Sequence, residues 1–183
     1  MTLRIIGGVF KGRTLQAPQT DATRPTQGML REAIFNICQN EIGGARFLDL
    51  FAGSGAIGLE ALSRGASSAT FVEQNHTAIS CIKENIAALQ VATQVHLIPN
   101  GAKKALELLA KQSAQFDLIY LDPPYDTPFD LRLLVPLLAP NGTLFLEERH
   151  HPKQVHKPIE FPGLKLKNSR RFGIAMLTIY TAG

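Results

Sequence analysis

Asp49-Leu50-Phe51-Ala52-Gly53-Ser54-Gly55-Ala56-Ile57-Gly58 is the stretch on which the fold turns. Phe47 to Phe51 reads as a short buried strand, and Ala56 to Ser63 as a helix that starts directly from a glycine loop. Glycine permits the dihedrals of so sharp a turn and lets a ligand approach the backbone. Gly53, Gly55 and Gly58 satisfy the GxGxxG spacing of nucleotide-binding strand–turn–helix units, and Glu73 stands twenty residues after Gly53, where a ribose-binding carboxylate is expected.

Outward from that loop the pattern repeats. Strands are expected over Ala69 to Val72, Val95 to Ile98, Phe116 to Leu121 and Thr143 to Leu146. Between them lie helices carrying Ile79, Ile82, Ile86 and Leu89, then Ala102 to Ala110, then Leu131, Leu134, Val135 and Leu138. Such alternation means an α/β domain of three layers, a parallel sheet covered on both faces, with ligands at the carboxyl ends of the strands. Leu164 to Lys167 and Ile174 to Tyr180 read as a closing antiparallel hairpin, with Arg170-Arg171-Phe172-Gly173 between them. Upstream, the paired glycines Gly7-Gly8 and Gly12 between short apolar runs suggest a basic, hairpin-like arm. A loop follows, and then a helix capped by Thr26 that ends near Gly43-Gly44. We therefore divide the chain into an arm and helix, residues 1–44, and a ligand-binding domain, residues 45–183.

The 183 residues are 45% hydrophobic with a net charge of +4, which fits a globular domain with a sizeable core rather than a disordered chain. The charge is uneven. Arg4, Lys11, Arg13, Arg24 and Arg31 cluster at one end; Arg149, Lys153, Lys157, Lys165, Lys167, Arg170 and Arg171 cluster near the other. Clustered cations suit a phosphate backbone, because binding releases condensed counterions. Cys38 and Cys81 lack zinc or redox spacing and read as reduced core residues. His150, His151 and His156 read as a surface loop, so no metal site is expected. No apolar run approaches a signal peptide or a membrane span, and a cytoplasmic location is expected.

Two motifs carry chemistry. A carboxylate at position 49, just before the loop, would repel a pyrophosphate but suits a cationic ligand such as S-adenosylmethionine, which carries a sulfonium and an ammonium. The GxGxxG spacing alone leaves a nicotinamide or flavin cofactor open. Candidate cofactor residues are Asp49, Phe51, Gly53, Gly55 and Glu73, with Asn100 in the turn after the third strand near the adenine. The second motif, Asp122-Pro123-Pro124-Tyr125, is delivered by the fourth strand to the same edge of the sheet. Prolines remove competing amide donors, so the Asp122 carboxylate and Pro123 carbonyl can accept hydrogen bonds from an amine, while Tyr125 stacks on a base extruded from its helix. Catalytic candidates are thus Asp122, Pro123 and Tyr125, acting by positioning and electrostatics. Residue chemistry leaves adenine, cytosine, guanine or glutamine open as the acceptor.

These residues resemble the RsmD-type small-subunit ribosomal RNA guanine-N2 methyltransferases, within the class I S-adenosylmethionine-dependent fold. The resemblance rests on Arg4-Ile5-Ile6-Gly7-Gly8, Lys11-Gly12-Arg13, Arg24-Pro25-Thr26, Arg31-Glu32, Asp49 through Ala66, and Asp122 through Tyr125. It implies a seven-stranded sheet with a reversed last strand, S-adenosylmethionine as cofactor, and methylation of one guanine of 16S rRNA in an assembled or partly assembled small subunit. We expect the chain to act as a monomer. Arg4, Lys11, Arg13, Arg24, Thr26 and Pro124 are the substrate-binding candidates. Gly28 and Met29 stand where relatives usually show an acidic and a basic residue, and the third strand lacks their frequent terminal aspartate. Competing functions are a DNA adenine-N6 methyltransferase, a protein-glutamine methyltransferase, and a non-catalytic RNA-binding assembly protein.

Overall fold

The computed structural model describes residues 3–18, 25–124, 129–149 and 161–183. Seven strands form one sheet: β1 Arg46–Leu50, β2 Ser68–Val72, β3 Val95–Ile98, β4 Phe116–Leu121, β5 Leu138–Arg149, β6 Leu164–Phe172 and β7 Ala175–Ala182. Their order is β3-β2-β1-β4-β5-β7-β6; β1 to β5 run parallel, and β7 runs antiparallel to both of its neighbours. The mixed seven-stranded sheet with a reversed last strand is the one that the family resemblance implies. Because succession leaves β1 in opposite directions, toward β2 and toward β4, a crevice opens at their carboxyl ends.

Helices α1 Pro25–Ile37, α2 Ala56–Ser63 and α3 His76–Leu89 cover one face, and α4 Ala102–Lys111 the other. The alternation along each strand explains this. Phe47, Phe71, Tyr120 and Phe145 enter the core beneath α1, α2 and α3, whereas Leu48, Leu50, Ile119 and Leu144 enter the core beneath α4. No helix among the described residues is long and apolar enough to cross a membrane.

The arm folds back as expected, with Ile5 donating to the Arg13 carbonyl at 3.0 Å and Leu15 to Leu3 at 2.9 Å. It docks on α2 through Glu60, whose carboxylate accepts the Ile6 amide at 2.8 Å, the Gly7 amide at 2.7 Å and Arg64 Nε at 2.9 Å. A Cβ on Gly8 would stand 1.8 Å from the Ser63 carbonyl, so only glycine allows this approach. Ile5 and Leu15 are buried in the same core as Phe47.

Four local expectations shift. The first helix begins at Pro25, not after a Thr26 cap, because proline is preorganised for a first helical position. It ends at Ile37 rather than near Gly43; Glu41 and Ile42 donate to the Cys38 carbonyl in tight turns instead. Leu131–Leu137 is a 3-10 helix, since Pro136 has no amide to continue an α-helical ladder. Arg170, Arg171 and Phe172 lie in β6, and the turn is only Gly173-Ile174, with Gly173 at φ 58.

Candidate active site

The chain leaves β1 in left-handed backbone at Phe51 (φ 60), Gly53 (φ 54) and Gly55 (φ 76) before entering α2. For phenylalanine this conformation costs on the order of 1 kcal/mol. Its ring meets Phe129 edge-on, 5.9 Å between centroids. Close packing of α2 on the sheet depends on Gly58, where a Cβ would stand 2.4 Å from Phe71. That approach carries the Gly58 amide to Asp49 Oδ2, at 2.9 Å.

Asp49 is 1% exposed, and its second oxygen, Oδ1, has no hydrogen-bond partner. Burial pushes its carboxyl well above the usual range; the Gly58 amide opposes this, and the charges of Asp122 and Glu73 add to it. A buried acceptor left half-satisfied is costly unless a donor or cation arrives. Glu73 is engaged differently. Its Oε2 accepts the Gly53 amide at 2.8 Å, and its Oε1 accepts the amides of Gln74 and Asn75, each at 2.8 Å. It therefore ties the glycine loop to the end of β2 while keeping lone-pair capacity for hydroxyl donors.

Two hollows meet here. A cavity of about 230 Å³ is bounded by Leu3 and Ala17 of the arm, Leu30 and Arg31 of α1, the loop from Phe51 to Ser54, and Asp49, Tyr120, Asp122 and Glu147. An open cleft of about 680 Å³ runs along Glu73 to His76 and Asp122 to Pro124. Phe51 and Asp122 line both. The strand register makes this meeting unavoidable: Asp49 pairs with Tyr120 and Leu50 with Leu121, so the motif after β4 emerges beside the loop after β1.

Asp49, Phe51, Gly53, Glu73, Asp122, Pro123 and Pro124 are thus brought together, with Gly55 in the same turn. Asn100 lies outside both hollows, its amide donating to the Ile98 carbonyl at 2.9 Å. Arg4 is exposed and lends its carbonyl to Arg31 Nη2 at 2.6 Å. Lys11 and Arg13 are exposed. Arg13 donates to the Ala88 carbonyl at 2.7 Å, near the end of α3, about 20 Å along that helix from the site. Thr26 is the second residue of α1. Tyr125 and Arg24 lie outside the described residues, as do His150, His151 and His156. Among the described residues no group of three or more His, Cys, Asp or Glu could hold a metal ion.

Three wall residues were not among the site candidates, although Arg31 stood in the Arg31-Glu32 motif. Arg31, 7% exposed, approaches Glu60 Oε2 at 3.7 Å, and burial lowers its pKa. Glu147, 6% exposed, accepts a hydrogen bond from the Tyr120 hydroxyl. The available signal was a polar tip near the apolar end of β4 and an acid after the apolar run of β5.

Residues 3–181 match the family model described as conserved hypothetical protein 95. YlbH of Bacillus subtilis (strain 168) is 36% identical over 184 residues, spanning 97% of this chain and 98% of that one. Ribosomal RNA small subunit methyltransferase D of Escherichia coli (strain K12) is 37% identical over 142 residues, 78% of this chain and 69% of that protein. The solved structure of yhhF from Escherichia coli superposes with a TM-score of 0.83 at 29% identity, covering 100% of this chain and 98% of that one. The chain therefore belongs to the conserved hypothetical protein 95 family, the RsmD-type methyltransferase family that its motifs resemble.

Proposed function

We propose that the chain is an S-adenosylmethionine-dependent methyltransferase that modifies the exocyclic N2 amine of one guanine in 16S rRNA, acting as a cytoplasmic monomer on an assembled or partly assembled small subunit. One observation carries the reading: Asp49 presents a buried, unpartnered oxygen in the same cavity as Asp122. The name of the Escherichia coli relative supports small-subunit rRNA as the substrate.

The donor set fits this cofactor. Asp49 would hold the ammonium, Arg31 the carboxylate of the methionine portion, and Glu73 the ribose hydroxyls, in addition to the three amides it already accepts. When bound, S-adenosylmethionine supplies an electrophilic methyl group on a cationic sulfur. The task of the chain is to make the acceptor amine reactive. Hydrogen bonds from that amine to the Asp122 carboxylate and the Pro123 carbonyl orient it and favour a tetrahedral nitrogen, and Asp122 receives the proton that the nitrogen gives up. Tyr125 stacks on the base.

The test is to incubate labelled S-adenosylmethionine with small subunits and with naked 16S RNA from cells lacking the enzyme, then digest to nucleosides. N2-methylguanosine at one mapped position is expected. Its absence from both substrates sinks the proposal, and rRNA binding without turnover would favour an assembly protein.

A further inference from the structure

The cavity wall beside Asp122 bears on which base the site accepts. Base amines differ in what stands beside them on the pairing edge. Adenine places the bare acceptor N1 next to its amine and cytosine the bare acceptor N3; guanine alone places a donor, N1–H, next to the N2 amine. A pocket that selects guanine through this edge needs two acceptors side by side, and one that selects adenine or cytosine needs an acceptor beside a donor.

The smaller cavity offers the first arrangement. Asp122, which takes the amine, shares that cavity with Glu147 of β5, the strand two places from β1 in the sheet. Parallel pairing of Tyr120 with Phe145 and of Leu121 with Leu146 brings the next residue of each strand, Asp122 and Glu147, to one edge. Glu147 is fixed by the Tyr120 hydroxyl at Oε2. Among the described residues, Arg31 is the only basic side chain lining the cavity. We propose that Glu147 reads the acceptor as guanine, its carboxylate accepting N1–H while Asp122 accepts from the N2 amine, with Tyr120 as its positioning residue. This rests on the guanine-N2 reading above and names the residue that enforces it.

Tyr120 stays a donor in this environment. Burial first, then the charges of Asp122 and Glu147, push its hydroxyl well above the usual range, so it keeps its proton. Burial raises Glu147 as well, and the Tyr120 hydrogen bond opposes that rise.

A base that keeps the amine but loses N1–H separates the contributions. 2-Aminopurine carries the same amine beside a bare N1, which would face the Glu147 carboxylate without a proton between them. Small subunits are prepared by splinted ligation with guanosine or 2-aminopurine riboside at the mapped position, and single-turnover kcat/KM is measured on each. The wild-type chain should prefer guanosine by about 10- to 100-fold, the cost of leaving a buried acceptor unpaired. Glu147→Gln, whose amide can donate to the bare N1, should narrow or invert that ratio. An unchanged ratio, with both rates lowered in proportion, overturns the inference and leaves the function intact. If Glu147→Gln does not fold, Tyr120→Phe decides the matter, since releasing Glu147 should narrow the ratio, and a ratio equal to wild type contradicts it. No methyl transfer to guanosine by the wild-type chain would remove the function and this inference together.

Discussion

Glu60 and Asp49 are both buried carboxylates, 0% and 1% exposed, yet only one is satisfied. Glu60 accepts two arm amides and Arg64, with Arg31 nearby at 3.7 Å. Asp49 accepts a single amide and keeps one oxygen without a partner. Burial by itself therefore does not mark a functional acid. An unfilled valence beside a cavity does, because the fold tolerates its cost only where a ligand relieves it.

The comparison can be broken at either carboxylate, and the largest effect belongs to Glu60. Glu60→Ala strands two amides and leaves Arg31 and Arg64 without their counter-ion, so urea unfolding should show a loss of about 3–5 kcal/mol. A loss below about 1 kcal/mol would mean that the arm is not clamped as described. Next is Asp122→Ala, which should lower turnover by about 100- to 1000-fold while cofactor affinity survives; loss of binding in a titration would contradict the division between the two motifs.

A pH series sharpens the contrast. A carboxylate whose folded pKa is raised binds more protons folded than unfolded, so its contribution to stability is fully present below the unfolded pKa of about 3.9 and is lost as pH rises through the folded value. The ligand-free protein should therefore lose stability above about pH 4, and Asp49→Asn should flatten that slope, with Glu147 supplying the remainder. Equal slopes in the two proteins would show that Asp49 is not buried as a strained acid. The smallest effect belongs to the exposed cations of the arm. Replacing Lys11 and Arg13 with Ala should make the dependence of rRNA affinity on salt shallower by about one or two in log–log slope. An unchanged slope would remove the arm from the RNA-binding surface.

The two motifs were legible because their meaning is local. The loop from Phe51 to Gly55 sits directly between a short buried strand and a helix, and Asp122-Pro123 follows a six-residue strand with little competing pattern. What stayed hidden depends on partners far apart in the chain. Glu60 meets Ile6 across 54 residues, and Tyr120 meets Glu147 across 27, separations that no periodicity encodes. Arg13 looked like a phosphate ligand by composition, whereas its guanidinium also serves the carbonyl end of α3. Pro136 was visible in the sequence, but its neighbours' apolar spacing suggested an α-helix that its missing amide forbids.

The most direct test of the central claim is calorimetric titration of Asp49→Asn with S-adenosylmethionine. The unpartnered oxygen of Asp49 should be the anchor for the cofactor's cation, so affinity should fall about 100-fold or more while the unfolding midpoint at neutral pH holds or rises. Wild-type affinity in the variant would contradict the claim and leave the buried valence of Asp49 without a function.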